Sequence, residues 1–269
     1  MIFFIVGLGM MGSSYAKKLT EKGYIVYGYD KCDSTNKEAL EKGFVKSNKL
    51  ECLSKANYII LSLYPDDNVK FLHEHKALIN PNAFITDISG IKSNMIIKIK
   101  ETIDNSYMSH HPMAGSEIKG IKGVNPNIFK GANFLIIDDN NSEDEINKLL
   151  ILKEALEFGK VSITSKEIHD EMISFTSQMP HALAIALVNS DTYKDTKSFT
   201  GDSFRDLTRI ASINESLWSL LFLNNKENLV KDLNNFKNEL NKIIDSLNND
   251  DEKTLKELMI KSKEKRDSY

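Results

Sequence analysis

The residue types best suited to chemistry occur in one stretch, His110-His111-Pro112-Met113-Ala114-Gly115-Ser116-Glu117-Ile118-Lys119-Gly120. An imidazole titrates near neutrality, so a histidine here can accept a proton from a hydroxyl or polarise it. Pro112 and Gly115 would fix the backbone beside it. Two adjacent histidines point in different directions, so at most one of His110 and His111 faces a substrate. By residue type alone, either could equally be structural. A second histidine stands in Met179-Pro180-His181-Ala182-Leu183-Ala184, and two arginines in Phe204-Arg205-Asp206-Leu207-Thr208-Arg209-Ile210-Ala211. Without further context, His181 reads as a core histidine and Arg209 as a surface or ion-pair arginine. Arg205 and Asp206 read as a local ion pair. His73, His75 and His169 fall on polar helical stretches and are expected to be solvated.

Gly7-Leu8-Gly9-Met10-Met11-Gly12 is a GxGxxG pattern directly after the apolar run Ile2 to Val6 and directly before a helical pattern. In that setting Gly7 allows a tight turn, Gly9 lets a pyrophosphate approach the backbone, and Gly12 lets helix and strand pack closely. The helix N-terminus offers N–H groups and partial positive charge to phosphates. The next strand ends at Asp30, 18 residues after Gly12. A carboxylate there accepts hydrogen bonds from the ribose hydroxyls of NAD and repels the 2′-phosphate of NADP. Lys31 beside it is a mild counter-signal. Ser62, Leu63 and Pro65 end a later strand and should border the same cofactor, because ligands of open sheets sit beyond the carboxyl ends of strands.

These positions need elements to hold them. The runs Ile2–Val6, Tyr24–Tyr29, Tyr58–Leu63, Ala83–Ile88, Phe134–Ile137 and Lys160–Thr164 read as strands alternating with helices, which predicts an α/β, mostly parallel sheet with helices on both faces. After about Ser165 strand-like runs stop. Apolar residues recur at helical spacing over Ile168–Ser190, Leu217–Leu247 and Leu255–Ile260. The expected division is a Rossmann-type dinucleotide-binding domain over 1–165 and an all-helical domain over 166–269. Pro180 should kink or break the first of these helices, since it lacks the N–H a helix interior needs. That helix is apolar nearly all round and is expected to be buried, with a subunit interface the natural place. Met172 and Met179 read as packing.

The chain has 269 residues, 41% hydrophobic and 27% charged, with a net charge of -3. That mix, with both signs interspersed, gives no reason to expect nucleic acid or a membrane surface as partner. No apolar run approaches the roughly 18 residues of a membrane span. Met1 to Gly7 is too short and lacks the basic flank of a signal peptide. The two cysteines, Cys32 and Cys52, fit no metal motif and suit a reducing compartment. The expectation is a cytoplasmic protein without a metal.

His-Pro-Met-Ala-Gly-Ser-Glu downstream of an N-terminal GxGxxG resembles the prephenate and arogenate dehydrogenase family. The histidine motif around His181 and the arginine motif around Arg209, followed by Trp218, extend the resemblance to roughly residues 1 to 230. It implies oxidative decarboxylation of prephenate to 4-hydroxyphenylpyruvate with hydride transfer to NAD, in tyrosine biosynthesis. It also implies a homodimer built through the helical domains. His111 matches the catalytic histidine that hydrogen-bonds the C4 hydroxyl of the ring. His181 matches a histidine lining the substrate pocket, and Arg209 matches an arginine that binds a substrate carboxylate. Glu117, with Ser116 beside it, matches an acid over the pocket mouth. The chain departs from the pattern at Asp87-Ile88-Ser89-Gly90-Ile91-Lys92. Gly90 occupies the place of a serine that shares the hydroxyl with the catalytic histidine, and Ser89 stands one position early. Either Ser89 reaches the site by a shifted backbone, or the contact is missing or supplied by water. Rival expectations are an arogenate dehydrogenase, a β-hydroxyacid-type dehydrogenase, for which no catalytic lysine motif is found, and a nucleotide-sensing protein without turnover.

Overall fold

The computed structural model describes residues 1–115, 118 and 120–269. Among these described residues, seven strands and twelve α-helices follow in chain order. The strands are β1 (Ile2–Val6), β2 (Ile25–Tyr29), β3 (Tyr58–Leu61), β4 (Phe84–Asp87), β5 (Ser109–Pro112), β6 (Phe134–Asp138) and β7 (Val161–Ser165). Helices α1 (Met10–Glu21), α2 (Asp33–Glu41), α3 (Pro65–His75), α4 (Ser93–Thr102) and α5 (Glu143–Ala155) lie among them. The rest is helical: α6 (Lys166–Ile173), α7 (Met179–Asn189), α8 (Thr196–Phe199), α9 (Asp202–Thr208), α10 (Glu215–Asn224), α11 (Lys226–Asn248) and α12 (Glu252–Asp267).

Strands β2-β1-β3-β4 form a parallel sheet. Strands β5-β6-β7 form a second, in which β5 runs antiparallel to β6. A single bridge between Ile85 and Tyr107 brings the two together. β1 reads Ile-Phe-Phe-Ile-Val because it is covered on both faces. Its alternate side chains enter two cores. Phe3 and Ile5 pack with Tyr15 and Leu19 of α1 and Leu149 and Leu152 of α5. Phe4 and Val6 pack with Phe71 of α3 and Ile96 and Ile99 of α4. The expected α/β architecture with a helical second half is therefore present.

In the helical half the break at Pro180 and the burial of its segment take a definite form, and one expectation, a continuous helix over Leu217–Leu247, is corrected. The segment from Ile168 to Ser190 is not simply kinked at Pro180. It widens into a π-turn over Ser174–Gln178, and Pro180 falls in the first turn of α7, where its missing N–H has no helical partner to lose. That segment is also only partly buried in the single chain, with Ile168, Met172 and Phe175 on its outer side all exposed. The expected helix over Leu217–Leu247 is broken at Asn225 into α10 and α11. The Asn225 amide turns inward, donating to the Asp170 backbone carbonyl at 2.8 Å and the Gln178 side chain at 2.9 Å.

His110 belongs to the core. Its ring lies between the Tyr15 hydroxyl at 2.8 Å and the Thr86 hydroxyl at 2.7 Å, stacked on Phe134. Burial, with the Lys92 cation nearby, lowers its pKa from 6.5 to about 3. Below pH 6.5 the unfolded chain takes up a proton here that the folded chain refuses. The stability tied to neutral His110 is thus full above that pH and is lost as pH falls toward about 3, at about 1.4 kcal/mol per pH unit. In His110→Gln the melting temperature should fall less steeply with acidification than in the wild type. Equal slopes in parallel thermal melts would show that His110 is not held neutral by the fold.

Candidate functional site

The turn after β1 is built by what its glycines lack. Gly7 has φ +90°, and a Cβ there would sit 2.7 Å from Leu63 Cδ2. A Cβ on Gly12 would sit 1.9 Å from the Gly7 carbonyl oxygen. Gly12 therefore lets α1 close onto the turn. The Ser62 hydroxyl seals it, donating to the Gly7 carbonyl at 2.6 Å with the Val6 carbonyl at 2.9 Å. Gly9 is different, since a Cβ there would meet nothing within 4 Å. It is the N-cap of α1 and provides no side-chain cap, so first-turn N–H groups are left for a ligand. Asp30, just past β2, ties the turn from the side. One carboxylate oxygen accepts the Leu8 N–H at 2.8 Å and the other the Cys32 N–H at 2.9 Å. The remaining lone pairs can accept from ribose hydroxyls. Lys31 lies 3.9 Å from Asp67, so a facing acid offsets its charge. Leu63 donates its N–H to Asn68, and Pro65 opens α3. These residues fit a dinucleotide.

A cleft of about 580 Å³ opens over this turn. Gly9, Met10, Met11, Gly12 and Ser62 form its floor, and His181, Ile210, Leu217 and Trp218 of the helical half face them, with Gly115 at its side. His181 is oriented twice. Its Nδ1 lies 2.8 Å from the Ser177 carbonyl, in the π-turn, and its ring stacks on Trp218 with centroids 3.7 Å apart. Arg209 is exposed in the short 3-10 turn Arg209–Ala211, immediately before Ile210. Arg205 pairs with Asp202 at 2.5 Å and not with Asp206, because Asp202 lies one turn back on α9. Ser116 and Glu117 lie outside the described residues. Among the described residues, no group of three or more acidic, cysteine or histidine side chains could hold a metal.

His111 follows His110 on β5 and points to the opposite side, as strand alternation requires. Three residues, Pro112 to Ala114, separate it from Gly115 on the cleft wall. Its Nδ1 lies 2.8 Å from His169 Nε2, and His169 Nδ1 lies 2.8 Å from Asp170 Oδ1. His169 is therefore 2% exposed and not solvated. Helical position alone could not reveal this, because the partner comes from a strand 58 residues away. Burial, the neighbouring His169 and the buried Lys92 cation push His111 well below the ordinary imidazole range. Lys92 Nζ itself is fully buried, 2.9 Å from Asp87 and 2.7 Å from the His110 carbonyl. Ser89 is nearly buried, and its hydroxyl accepts from the Asn68 amide at 3.1 Å. A Cβ on Gly90 would meet only Leu221, at 3.7 Å.

The family model described as prephenate dehydrogenase, nucleotide-binding domain matches residues 15–164, and that described as prephenate dehydrogenase, dimerization domain matches 165–261. A prephenate dehydrogenase of Lactococcus lactis subsp. cremoris is 28% identical over 253 residues, 89% of this chain and 69% of the relative. The crystal structure of prephenate dehydrogenase from A. aeolicus in complex with hydroxyphenyl propionate and NAD+ superposes with a TM-score of 0.90 at 26% identity, covering 99% of this chain and 97% of that one. A Synechocystis arogenate dehydrogenase structure shares the fold, with a TM-score of 0.86 at 24% identity over all of both chains.

The two glycines of the turn should separate folding from binding. Gly12→Ala forces a methyl into the Gly7 carbonyl and should lower stability by about 1–3 kcal/mol or more. Gly9→Ala should melt like the wild type yet bind dinucleotide about tenfold more weakly, about 1.4 kcal/mol. Thermal melts and calorimetric titration check both, and unchanged affinity in Gly9→Ala would remove the phosphates from this turn.

Proposed function

The chain belongs to the prephenate dehydrogenase family, and on that premise we propose that it oxidatively decarboxylates prephenate to 4-hydroxyphenylpyruvate with NAD, as a step in tyrosine biosynthesis. The observation that carries this reading is His111. It is neutral at pH 7 and lies where β5 of the nucleotide half meets α6 of the helical half.

Bound over Gly7–Gly12 and Asp30, NAD would supply the acceptor for the hydride that leaves C4 of the substrate. His111 accepts the C4 hydroxyl proton as that carbon gains carbonyl character. The electron pair of the C1–carboxylate bond then enters the ring as carbon dioxide leaves, and the proton returns to the oxygen of the phenol. Proton transfer of this kind is worth about 10²- to 10⁴-fold, and we assign it to His111 alone. Ser89 remains a candidate second contact, because its hydroxyl accepts from Asn68 and keeps its own hydrogen to donate. Arg209 anchors a substrate carboxylate with its planar fork. His181, held by Ser177 and Trp218, lines the substrate side of the cleft.

The division at 1–165 and 166–269 is supported by the end of β7 at Ser165, which caps α6 at once. A homodimer through the helical half is supported by a stripe on α11. Phe236, Leu240, Ile243, Ile244 and Leu247 recur at helical spacing, and all are exposed in the single chain. No helix among the described residues is long and apolar enough to cross a membrane. A cytoplasmic location fits the two free cysteines.

The reading is tested by following reduced nicotinamide with prephenate or arogenate and with NAD or NADP. Reduction should be fastest with prephenate and NAD. Reduction with arogenate alone would move the substrate while keeping the chemistry, and silence in every combination would leave a binding protein. Arg209→Ala should raise KM for prephenate by about tenfold or more, about 1.4 kcal/mol. An unchanged KM would take the carboxylate away from Arg209.

A further inference from the structure

Resting on the reading of His111 as the base, we propose that His169 and Asp170 are positioning residues that hold His111 as its Nδ1–H tautomer, leaving Nε2 as the proton acceptor. Burial lowers the pKa of His169 and favours its neutral ring, and with that ring neutral the chain of donors and acceptors has one solution. Asp170 Oδ1 accepts the Lys92 N–H at 3.0 Å, and Oδ2 accepts the Ser93 N–H at 2.8 Å and the Ser93 hydroxyl at 2.6 Å. Those N–H groups open α4, whose N-terminal dipole favours a negative charge. Asp170 is thus an ionised carboxylate with acceptors only. His169 Nδ1, 2.8 Å away, must carry the proton that fills this contact. A neutral ring has one N–H, so His169 Nε2 is an acceptor. His111 Nδ1, 2.8 Å from it, must then be the donor. That leaves the His111 lone pair on Nε2, the ring atom far from the backbone, from which a substrate hydroxyl can be reached.

The alternative tautomer would set two N–H groups, or two lone pairs, against each other in a nearly buried contact. The charged groups around the pair are Asp87 at the end of β4 and Lys92 at the start of α4, and neutral His110 adjoins it on β5. Lys92 Nζ is spent on Asp87 and the His110 carbonyl. Among the described residues, the partner of His111 Nδ1 is His169.

The tautomer can be read in the resting protein without turnover, by long-range nitrogen–proton spectra of the 15N-histidine-labelled enzyme. The His111 signals are assigned by their loss in His111→Asn. A protonated Nδ1 and bare Nε2 on His111 are expected, and the reverse assignment overturns the proposal even if no substrate is ever turned over. Kinetics of two variants provide the second arm. His169→Phe keeps a ring against His111 but removes the acceptor, and kcat should fall about tenfold or more with KM little changed. His169→Gln returns a carbonyl near the place of Nε2 and should recover most of that loss. Equal loss in the two variants would mean that His169 only fills space. Should His169→Phe fail to fold, the wild-type spectrum decides alone.

Discussion

The buried carboxylate of Asp170 is the contact on which the two halves of this molecule depend. It comes from α6, the first helix of the helical half, and takes its hydrogen bonds from the start of α4 in the nucleotide half. A carboxylate this deep would be costly alone, but four N–H or O–H donors and a helix N-terminus satisfy it. Burial pushes its pKa up, and the bonds from His169 and Ser93 outweigh that and keep it below the ordinary carboxylate range. The same group orders His169, and through it His111. One interaction thus docks helix on helix and orients the imidazole proposed as the base.

Around that contact the fold sorts charge with care. Asp87 and Lys92 form a fully buried pair, with the Tyr107 hydroxyl on the second Asp87 oxygen at 2.7 Å. A pair of this kind adds little net stability, but removing either member would leave an unpaired buried charge. Its use here is local. The Lys92 cation, after burial, helps keep His110 and His111 neutral. On the other side of the site, the turn after β1 offers backbone and no side chains where phosphates would lie. Electrostatics and sterics therefore divide the work between proton transfer and cofactor binding.

The glycine turn, Asp30 and the strand–helix alternation were legible because each is a local pattern: a period of two or 3.6, or a short motif with one backbone solution. Strand ends differed from expectation by at most two residues, as at Tyr58–Leu61. The His111 partnership was not legible. His169 sits on a helix whose sequence looks solvated, and the packing of α6 against the nucleotide half buries it. Asn225 was missed for the same reason, since an asparagine inside a helical pattern shows no sign that its amide will reach Asp170 and Gln178. The π-turn at Ser174–Gln178 left a trace only in Pro180, which reads as a break of unknown form. Ser89 and Gly90 show the limit of motif matching. Position suggests Ser89 for the site, while its contact with Asn68 engages the hydroxyl oxygen elsewhere.

The central claim is that His111 moves the proton of the C4 hydroxyl, and the most direct test is the turnover of His111→Asn with prephenate and NAD at neutral pH. The account predicts a fall in kcat of about 10²- to 10⁴-fold with KM largely retained. Near-normal kcat in a folded variant would contradict it and move the base to another residue.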